Sequence, residues 1–264
     1  MKTAIRFLLS MAFVLLPLVA CTTTDFDLDK RKALSEDNRR VGDAYIRQGD
    51  YTRALRYYQE AAKHYADDPE LQYRMGQAYQ EKRNYNLAIS HFLRALELKP
   101  DMMRVKNSLG VAYIKNQDYD NAILVFKEMI QDQAYEIYIR PQSPKYNLGW
   151  AYYQIRQYGD SERYLQEALD YYLSGVPKDD IYIKALRVMG LNSLAQSKPE
   201  IALSYFEKAI PFAPKWPDLY LDIARAHRLA GETPRARQAY NRVIELAPGT
   251  DIADTATKEA DSLN

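Results

Sequence analysis

The stretch from Pro69 to Met102 reads PELQYRMGQAYQEKRNYNLAISHFLRALELKPDM. Its apolar and small residues fall on two stripes with helical spacing, and polar residues around Asn84 separate the two stripes. The stripe residues are Met75, Gly76, Tyr79, Ala88, Phe92 and Ala95. The stretch therefore predicts a helical hairpin whose two helices approach each other closely at Gly76, where there is no side chain.

The same pattern occurs six times between Ser35 and Thr250, mostly at a period of 34 residues. We place the copies at about 35–68, 69–102, 103–136, 142–175, 183–216 and 217–250. The crossing position is occupied by Gly42, Gly76, Gly110, Gly149, Gly190 and Ala224. This period and spacing are typical of the tetratricopeptide repeat, in which stacked hairpins build the core. The sequence predicts an all-α fold, a right-handed α-solenoid of six such repeats, with a capping helix over 251–263.

The first twenty residues have a different character from the repeats. Lys2 and Arg6 precede the apolar run from Phe7 to Ala20, and this order is typical of an export signal. The sequence Leu-Val-Ala before Cys21 resembles a bacterial lipobox, which implies cleavage before Cys21 and attachment of fatty acids such as palmitate. An ordinary signal peptide or a short membrane anchor is the alternative. We predict a signal peptide over 1–20 and a lipidated polar tether over 21–34.

The residue after Cys21 bears on localisation. Asp at that position favours retention in the inner membrane of Gram-negative lipoproteins, whereas this chain has Thr22. By this resemblance the protein is expected on the periplasmic face of the outer membrane. If the source has a single membrane, the inference does not apply.

Composition and motifs argue against several classes of function. The chain has 36 Lys and Arg against 35 Asp and Glu, which disfavours nucleic-acid binding because that requires a clustered positive field. His64, His91 and His227 lie in three different repeats, far apart in the sequence, so no metal site is expected. We find no catalytic constellation or phosphate loop, and we expect no enzyme activity, no cofactor and no small-molecule substrate.

The middle repeats carry the candidate binding residues. In this repeat family, certain first-helix positions line a groove, and in the middle copies these positions are apolar or aromatic. We call this set the predicted strip: Asn107, Val111, Ile114, Tyr146, Trp150, Tyr153, Leu191 and Leu194. An amphipathic helix or an extended segment of a partner protein could bury there. The alternative is that Trp150 and Tyr153 only pack on neighbouring helices.

Two insertions interrupt the period, at 137–141 and at 176–182. Insertions in repeat arrays lie in loops between repeats and often mark a functional edge. Neutral lengthening of a loop explains them equally well.

A lipoprotein leader, a short tether and six repeats together resemble the type IV pilus pilotins, the PilF, PilW and Tgl group. Gly42-Asp43-Ala44-Tyr45 and Gln48-Gly49-Asp50-Tyr51 resemble their first repeat. The widened joint before Tyr146-Asn147-Leu148-Gly149-Trp150 resembles the joint that follows their third repeat. The resemblance implies an outer-membrane lipoprotein that binds secretin subunits and promotes their localisation and assembly. The alternatives are an NlpI-like adaptor that recruits peptidoglycan hydrolases and a scaffold of an export system.

Overall fold

The computed structural model describes residues 26–132, Tyr135 and 140–263, and this part of the chain is all-α. Helix α1 spans 26–47. The following helices are α2 (Tyr51–His64), α3 (Pro69–Glu81), α4 (Tyr85–Leu98), α5 (Met103–Lys115), α6 (Tyr119–Gln131), α7 (Gln142–Gln154), α8 (Tyr158–Asp170), α9 (Asp180–Ala195), α10 (Pro199–Ala209), α11 (Pro217–Leu229), α12 (Thr233–Leu246) and α13 (Asp251–Asp261). None of the helices within these ranges combines the length and the apolar character needed to cross a membrane.

Contacts between Cα atoms divide the chain into two compact units, Met1–Ala112 and Tyr113–Asn264, and the boundary falls within α5. In the first unit, α2 packs on α3 and α3 packs on α4. In the second unit, the second helix of each hairpin packs on the first helix of the next hairpin. Examples are α8 on α9 and α10 on α11. Helix α13 packs on α12 and occupies the predicted position of the capping helix, where it buries Ala253, Ala256 and Ala260.

The predicted close crossings are present within both units. A Cβ atom added to Gly76 would lie 2.5 Å from Cε1 of Phe92, and one added to Gly149 would lie 2.7 Å from Cγ of Leu165. Gly42 faces Tyr58 and Gly190 faces Phe206 in the same way. Because the large partner on the second helix fills the space at the crossing, the position has no room for a side chain.

The six turns inside the hairpins share one backbone conformation. One residue in each turn is left-handed, and these residues are Gly49, Arg83, Gln117, Arg156, Ser197 and Gly231, with φ between 57° and 76°. The amide that follows it donates to the carbonyl five positions earlier, as Asn84 N does to Tyr79 O at 2.9 Å and Gln157 N does to Tyr152 O at 2.9 Å. This is a Schellman-type helix end, and it satisfies carbonyl groups that the helix leaves unpaired.

The structure corrects the predicted tether. Residues 21–25 and the signal peptide lie outside the described residues, but 26–34 are helical and continue into the first repeat as α1. This segment has no Gly or Pro, and Asp27 and Asp29 lie in the first turn, where negative charge suits the helix dipole. Arg31 Nε also donates to His64 O at 3.0 Å, so the segment is attached to the end of α2.

The structure also corrects the second insertion. The predicted insertion was 176–182, but α9 begins at Asp180, so its last three residues are helical. Asp179 explains the early start, because its carboxylate accepts from Ile181 N at 2.9 Å and acts as the N-cap. Before it, a short 3-10 helix over Tyr171–Ser174 follows α8 directly and ends at Gly175, with φ 84°. Of the first insertion, 137–141, residues 137–139 lie outside the described residues.

Candidate protein-binding surface

The first helices of the second unit form a continuous row. Helix α7 contacts α9, α9 contacts α11, and α11 contacts α13. Five residues of the predicted strip lie on this row, and we call them the second-unit strip: Tyr146, Trp150 and Tyr153 on α7, and Leu191 and Leu194 on α9. Because the three aromatic residues occur at spacings of four and three, they follow one side of α7.

The second-unit strip is half-buried. All five side chains pack against the core of the second unit, yet each keeps part of its surface exposed. The ring centroids of Trp150 and Tyr153 are 5.5 Å apart, and those of Tyr153 and Tyr158 are 6.1 Å apart. The structure therefore contains the packing that the alternative interpretation expected, together with an accessible aromatic surface. The packing and the accessible surface both suit a binding site, because rigidly packed aromatic residues lose little conformational entropy when a partner binds.

The other predicted residues lie on α5, where the two units are divided. Asn107 and Val111 belong to the first unit and Ile114 belongs to the second. All three are half-buried.

The tyrosines of the second-unit strip are electrically neutral. Burial raises the pKa of Tyr146 to about 12, and burial also raises the pKa of Tyr153. Loss of a phenol proton would place a charge in poorly solvated surroundings, which raises the pKa. The aromatic surface therefore offers rings and neutral hydroxyl groups to a partner at physiological pH.

An ion pair that we did not predict lies beside the second-unit strip. Arg187 Nε on α9 donates to Asp222 Oδ2 on α11 at 2.6 Å. Asp222 is only 3% exposed, and burial raises its pKa although Arg187 opposes the shift. The guanidinium of Arg187 also lies 4.9 Å from the ring centroid of Trp216. The two residues are 35 positions apart, and a search for ion pairs at about one repeat period would have found them.

The next pair of first helices carries a similar ion pair. Arg225 Nη2 donates to Glu259 Oε1 at 2.6 Å, and Arg225 Nε is 3.1 Å from both oxygens of Glu259. Tyr240 Oη also donates to Glu259 at 2.9 Å. Glu259 therefore fixes the capping helix α13 to repeat six.

First helices of the first unit carry mainly charged side chains. Arg39 lies 3.6 Å from Asp43 and 3.6 Å from Asp68, while Arg74 lies 3.0 Å from Glu70. Tyr58 Oη, reaching from α2, donates to Asp43 at 2.7 Å. First helices of both units thus carry ion pairs, and those of the second unit also carry the aromatic surface of the second-unit strip.

The two joints that lengthen the repeat period are connected to each other. Arg140 Nη2, before α7, donates to Asp179 and to Asp180 at 3.1 Å each. Gln142 Nε2 donates to Asp179 at 3.1 Å, and Tyr172 Oη also donates to Asp179. Residues beside the two insertions therefore form one polar cluster.

The described histidines take part in pairwise contacts. His91 Nδ1 lies 2.8 Å from Gln72 Oε1 and its ring stacks on Tyr79, while burial lowers its pKa. His227 Nδ1 lies 2.7 Å from Glu232. Within the described ranges, no three His, Cys, Asp or Glu side chains form a group that could hold a metal ion.

Sequence comparisons agree with the helical hairpins. Models described as tetratricopeptide repeat match residues 73–137, 146–173 and 188–250, and a model described as TPR repeat matches residues 42–83. The chain belongs to the tetratricopeptide-repeat family. A comparison with curated protein sequences gives no match.

Solved structures with the same fold include a type IV pilus biogenesis factor. PilW, described as a widely conserved type IV pilus biogenesis factor, matches with a TM-score of 0.72 and 19% identity over 84% of this chain and 98% of PilW. PilF of Pseudomonas aeruginosa matches with a TM-score of 0.67 and 16% identity over 87% of this chain and 99% of PilF. YrrB, described as a TPR protein with an unusual peptide-binding site, has a TM-score of 0.55 and 17% identity over 76% of this chain and 97% of YrrB. At these identities the matches establish the fold.

Proposed function

We propose that the protein is a lipid-anchored scaffold of the outer membrane that binds secretin subunits and promotes assembly of a type IV pilus secretin. The single observation that carries the proposal is the match over nearly the full length of PilW, described as a type IV pilus biogenesis factor, and of PilF. The apolar leader that ends in Leu-Val-Ala before Cys21 supports the lipid anchor. The second-unit strip supplies the surface for recognition, and no step of this function requires covalent chemistry.

The proposed mechanism separates location from recognition. Fatty acids on Cys21 would hold the scaffold at the membrane, because a residue with several acyl chains stays anchored whereas one chain binds only marginally. The half-buried aromatic residues would provide most of the binding energy, since a few aromatic anchors commonly dominate an interface. Secretin subunits bound in this way would be concentrated at the membrane, where they assemble.

The test is complementation of a deletion strain. Deletion should remove surface pili and the assembled secretin, while the secretin monomer remains detectable on gels. Wild-type protein should restore the multimer, and Trp150→Ala should restore much less of it. The control is Leu124→Ala, because Leu124 is an exposed apolar residue of the same unit on α6, away from the row of first helices. Circular dichroism of both variants checks that the helical content is intact.

A separate variant tests the anchor. Cys21→Ser should release the protein from the membrane fraction and prevent restoration of the secretin at the outer membrane. If deletion leaves the secretin multimer and the pili unchanged, the pilotin proposal is wrong. Co-purification with peptidoglycan hydrolases, with no effect on the secretin, would favour the NlpI-like adaptor instead, and co-purification with components of an export system would favour an export scaffold.

A further inference from the structure

Arg187 is held in a fixed orientation beside the second-unit strip. Its Nε donates to the buried Asp222 at 2.6 Å, and its guanidinium lies over the ring of Trp216, 4.9 Å from the centroid. Its side chain is only 23% exposed. On α9 it lies one helical turn before Leu191, so it shares a side of the helix with the second-unit strip.

The outer edge of this guanidinium makes a long ion pair with Asp218 but no hydrogen bond. Arg187 Nη2 is 3.8 Å from Asp218 Oδ1, which is too long for a hydrogen bond, and neither Nη atom has a hydrogen-bond partner among the described residues. Arg225 provides the contrast, because its Nε and Nη2 both bind the carboxylate of Glu259. Arg187 therefore presents N–H donors in a fixed plane at a largely buried position.

The charges around Arg187 favour a neutral ligand. Asp222 already balances its charge, and Asp218 is near its outer edge. The other charged groups of these helices are also paired, Lys184 with Asp180 on α9, and Arg225 and Arg228 with Glu259. An incoming carboxylate would face Asp218 and Asp222, whereas a neutral oxygen could accept from Arg187 without that repulsion.

The commonest neutral oxygen acceptor in a protein is the main-chain carbonyl. Carbonyl groups along the side of a helix are already paired within the helix, whereas those of an extended segment are available. Side chains of an extended segment alternate, so every second one would face the same surface. The need for an available carbonyl group therefore favours an extended partner segment over an amphipathic helix, and the sequence left both forms open.

We propose that Arg187 is the polar anchor of the second-unit strip and that it binds a main-chain carbonyl of an extended, apolar partner segment. The segment places alternate side chains against Trp150, Tyr153 and Leu191. This inference rests on the proposed function only in assigning partner binding to the strip, and it does not depend on which protein the partner is.

The experiment uses peptides selected from a random 12-residue phage library on the full chain, purified in detergent. Binders that fail to bind Trp150→Ala are synthesised and scanned with amide-to-ester substitutions, which weaken one carbonyl acceptor at a time. One ester should weaken binding to the wild type by about 3- to 10-fold, the usual net effect of one hydrogen bond. The same ester should have no effect on binding to Arg187→Gln.

Two further variants keep the result interpretable. Arg187→Gln leaves Asp222 without its donor, so the double variant Arg187→Gln with Asp222→Asn restores an uncharged pair and should give the same loss of coupling. Arg228→Gln is the matched control on α11, and it should retain the full ester effect. Circular dichroism confirms folding of each variant.

The proposal is overturned if no ester weakens binding, or if the weakening is equal in the wild type and both Arg187 variants. It is also overturned if the selected peptides bind as helices and lose binding when proline is introduced at central positions. If no peptide depends on Trp150, the assignment of the strip fails and this inference fails with it. If the ester effect depends on Arg187 but the protein has no effect on the secretin, the proposed function is refuted and this inference remains.

Discussion

Asp179 is predicted to be the residue on which the joint before repeat five depends. Its carboxylate caps α9 through Ile181 N and accepts from Tyr172, Gln142 and Arg140. Tyr172 and Gln142 are each only 4% exposed, so removal of their acceptor leaves buried donors without a partner. Asp179→Ala should therefore destabilise the protein much more than the loss of an ordinary helix cap.

The magnitude follows from the separate contributions. Loss of a helix cap costs about 1 kcal/mol. Each buried donor left unsatisfied costs about 1–3 kcal/mol. The contact with Arg140 adds little, because its side chain is 51% exposed. Together these contributions predict a loss of about 3–7 kcal/mol in the free energy of unfolding of the second unit.

Asp118→Ala is the matched control. Asp118 caps α6 in the same unit by accepting from Asn121 N at 3.3 Å, and its removal should cost only about 1 kcal/mol. Asp179→Asn keeps an acceptor for the cap and should fall between the two. Urea denaturation of the full chain in detergent, followed by circular dichroism, gives the comparison. Amide hydrogen exchange at the start of α9 locates the loss, because repeat arrays do not always unfold in one step.

The pH dependence provides an independent check. Although burial raises the pKa of the Asp179 carboxyl, the hydrogen bonds that it accepts, first from Tyr172, lower it below the ordinary value. A group with a lowered folded pKa stabilises the protein above its unfolded pKa of about 3.9, and this stabilisation is lost as the pH falls through the folded pKa. The difference in stability between wild type and Asp179→Asn should shrink below about pH 4. Equal stability of Asp179→Ala and Asp118→Ala at pH 7 would refute this account of the joint.

Three further predictions concern the repeats themselves. Gly76→Ala should lower the free energy of unfolding by about 1–3 kcal/mol, because its Cβ would meet Phe92. Urea denaturation measures this loss, and no loss would mean that the two helices can move apart to accept the Cβ. Gln117→Gly should stabilise the protein by about 0.5–1 kcal/mol, because φ is 61° at this exposed turn residue and this conformation is costly for residues other than glycine. A destabilised variant would contradict that cost. Asn192 Nδ2 donates to Ser161 Oγ at 2.9 Å, and Asn192 Oδ1 has no partner among the described residues. The double-mutant cycle of Asn192→Ala and Ser161→Ala should therefore show a coupling energy of about 1 kcal/mol. Strictly additive effects of those two substitutions would argue against the buried pair.

The sequence was sufficient to predict the hairpins because their main contacts lie within one repeat. The pairing of Gly76 with Phe92 and of Gly149 with Leu165 spans only 16 residues, so the local pattern carries it directly. The turns were harder, since Arg83, Gln117, Arg156 and Ser197 take the left-handed conformation without being glycine. Their conformation is imposed by the main-chain hydrogen bonds of the helix end, to which residue type is only a weak guide.

The candidate site was predicted only in part. Trp150 and Leu191 were identified because the repeat register assigns their positions, but the partner that would confirm their role is a separate molecule. Arg187 and Asp222 were missed because their contact joins two repeats, and no residue within either repeat indicates it. The extent of α1 was missed for a different reason: a polar, charged segment suits both a linker and an exposed helix, and the contact of Arg31 with His64 decides between them.

The continuous helix α1 has a mechanical consequence. Residues 26–34 are exposed and helical, and they advance the chain by about 13 Å ahead of the first repeat. A helix resists bending over this length, so a force applied near residue 26 would act on the repeats as a lever and turn them. A flexible linker in the same place would transmit only tension. A force transmitted along this helix would therefore reach the first repeat in a direction set by the helix axis.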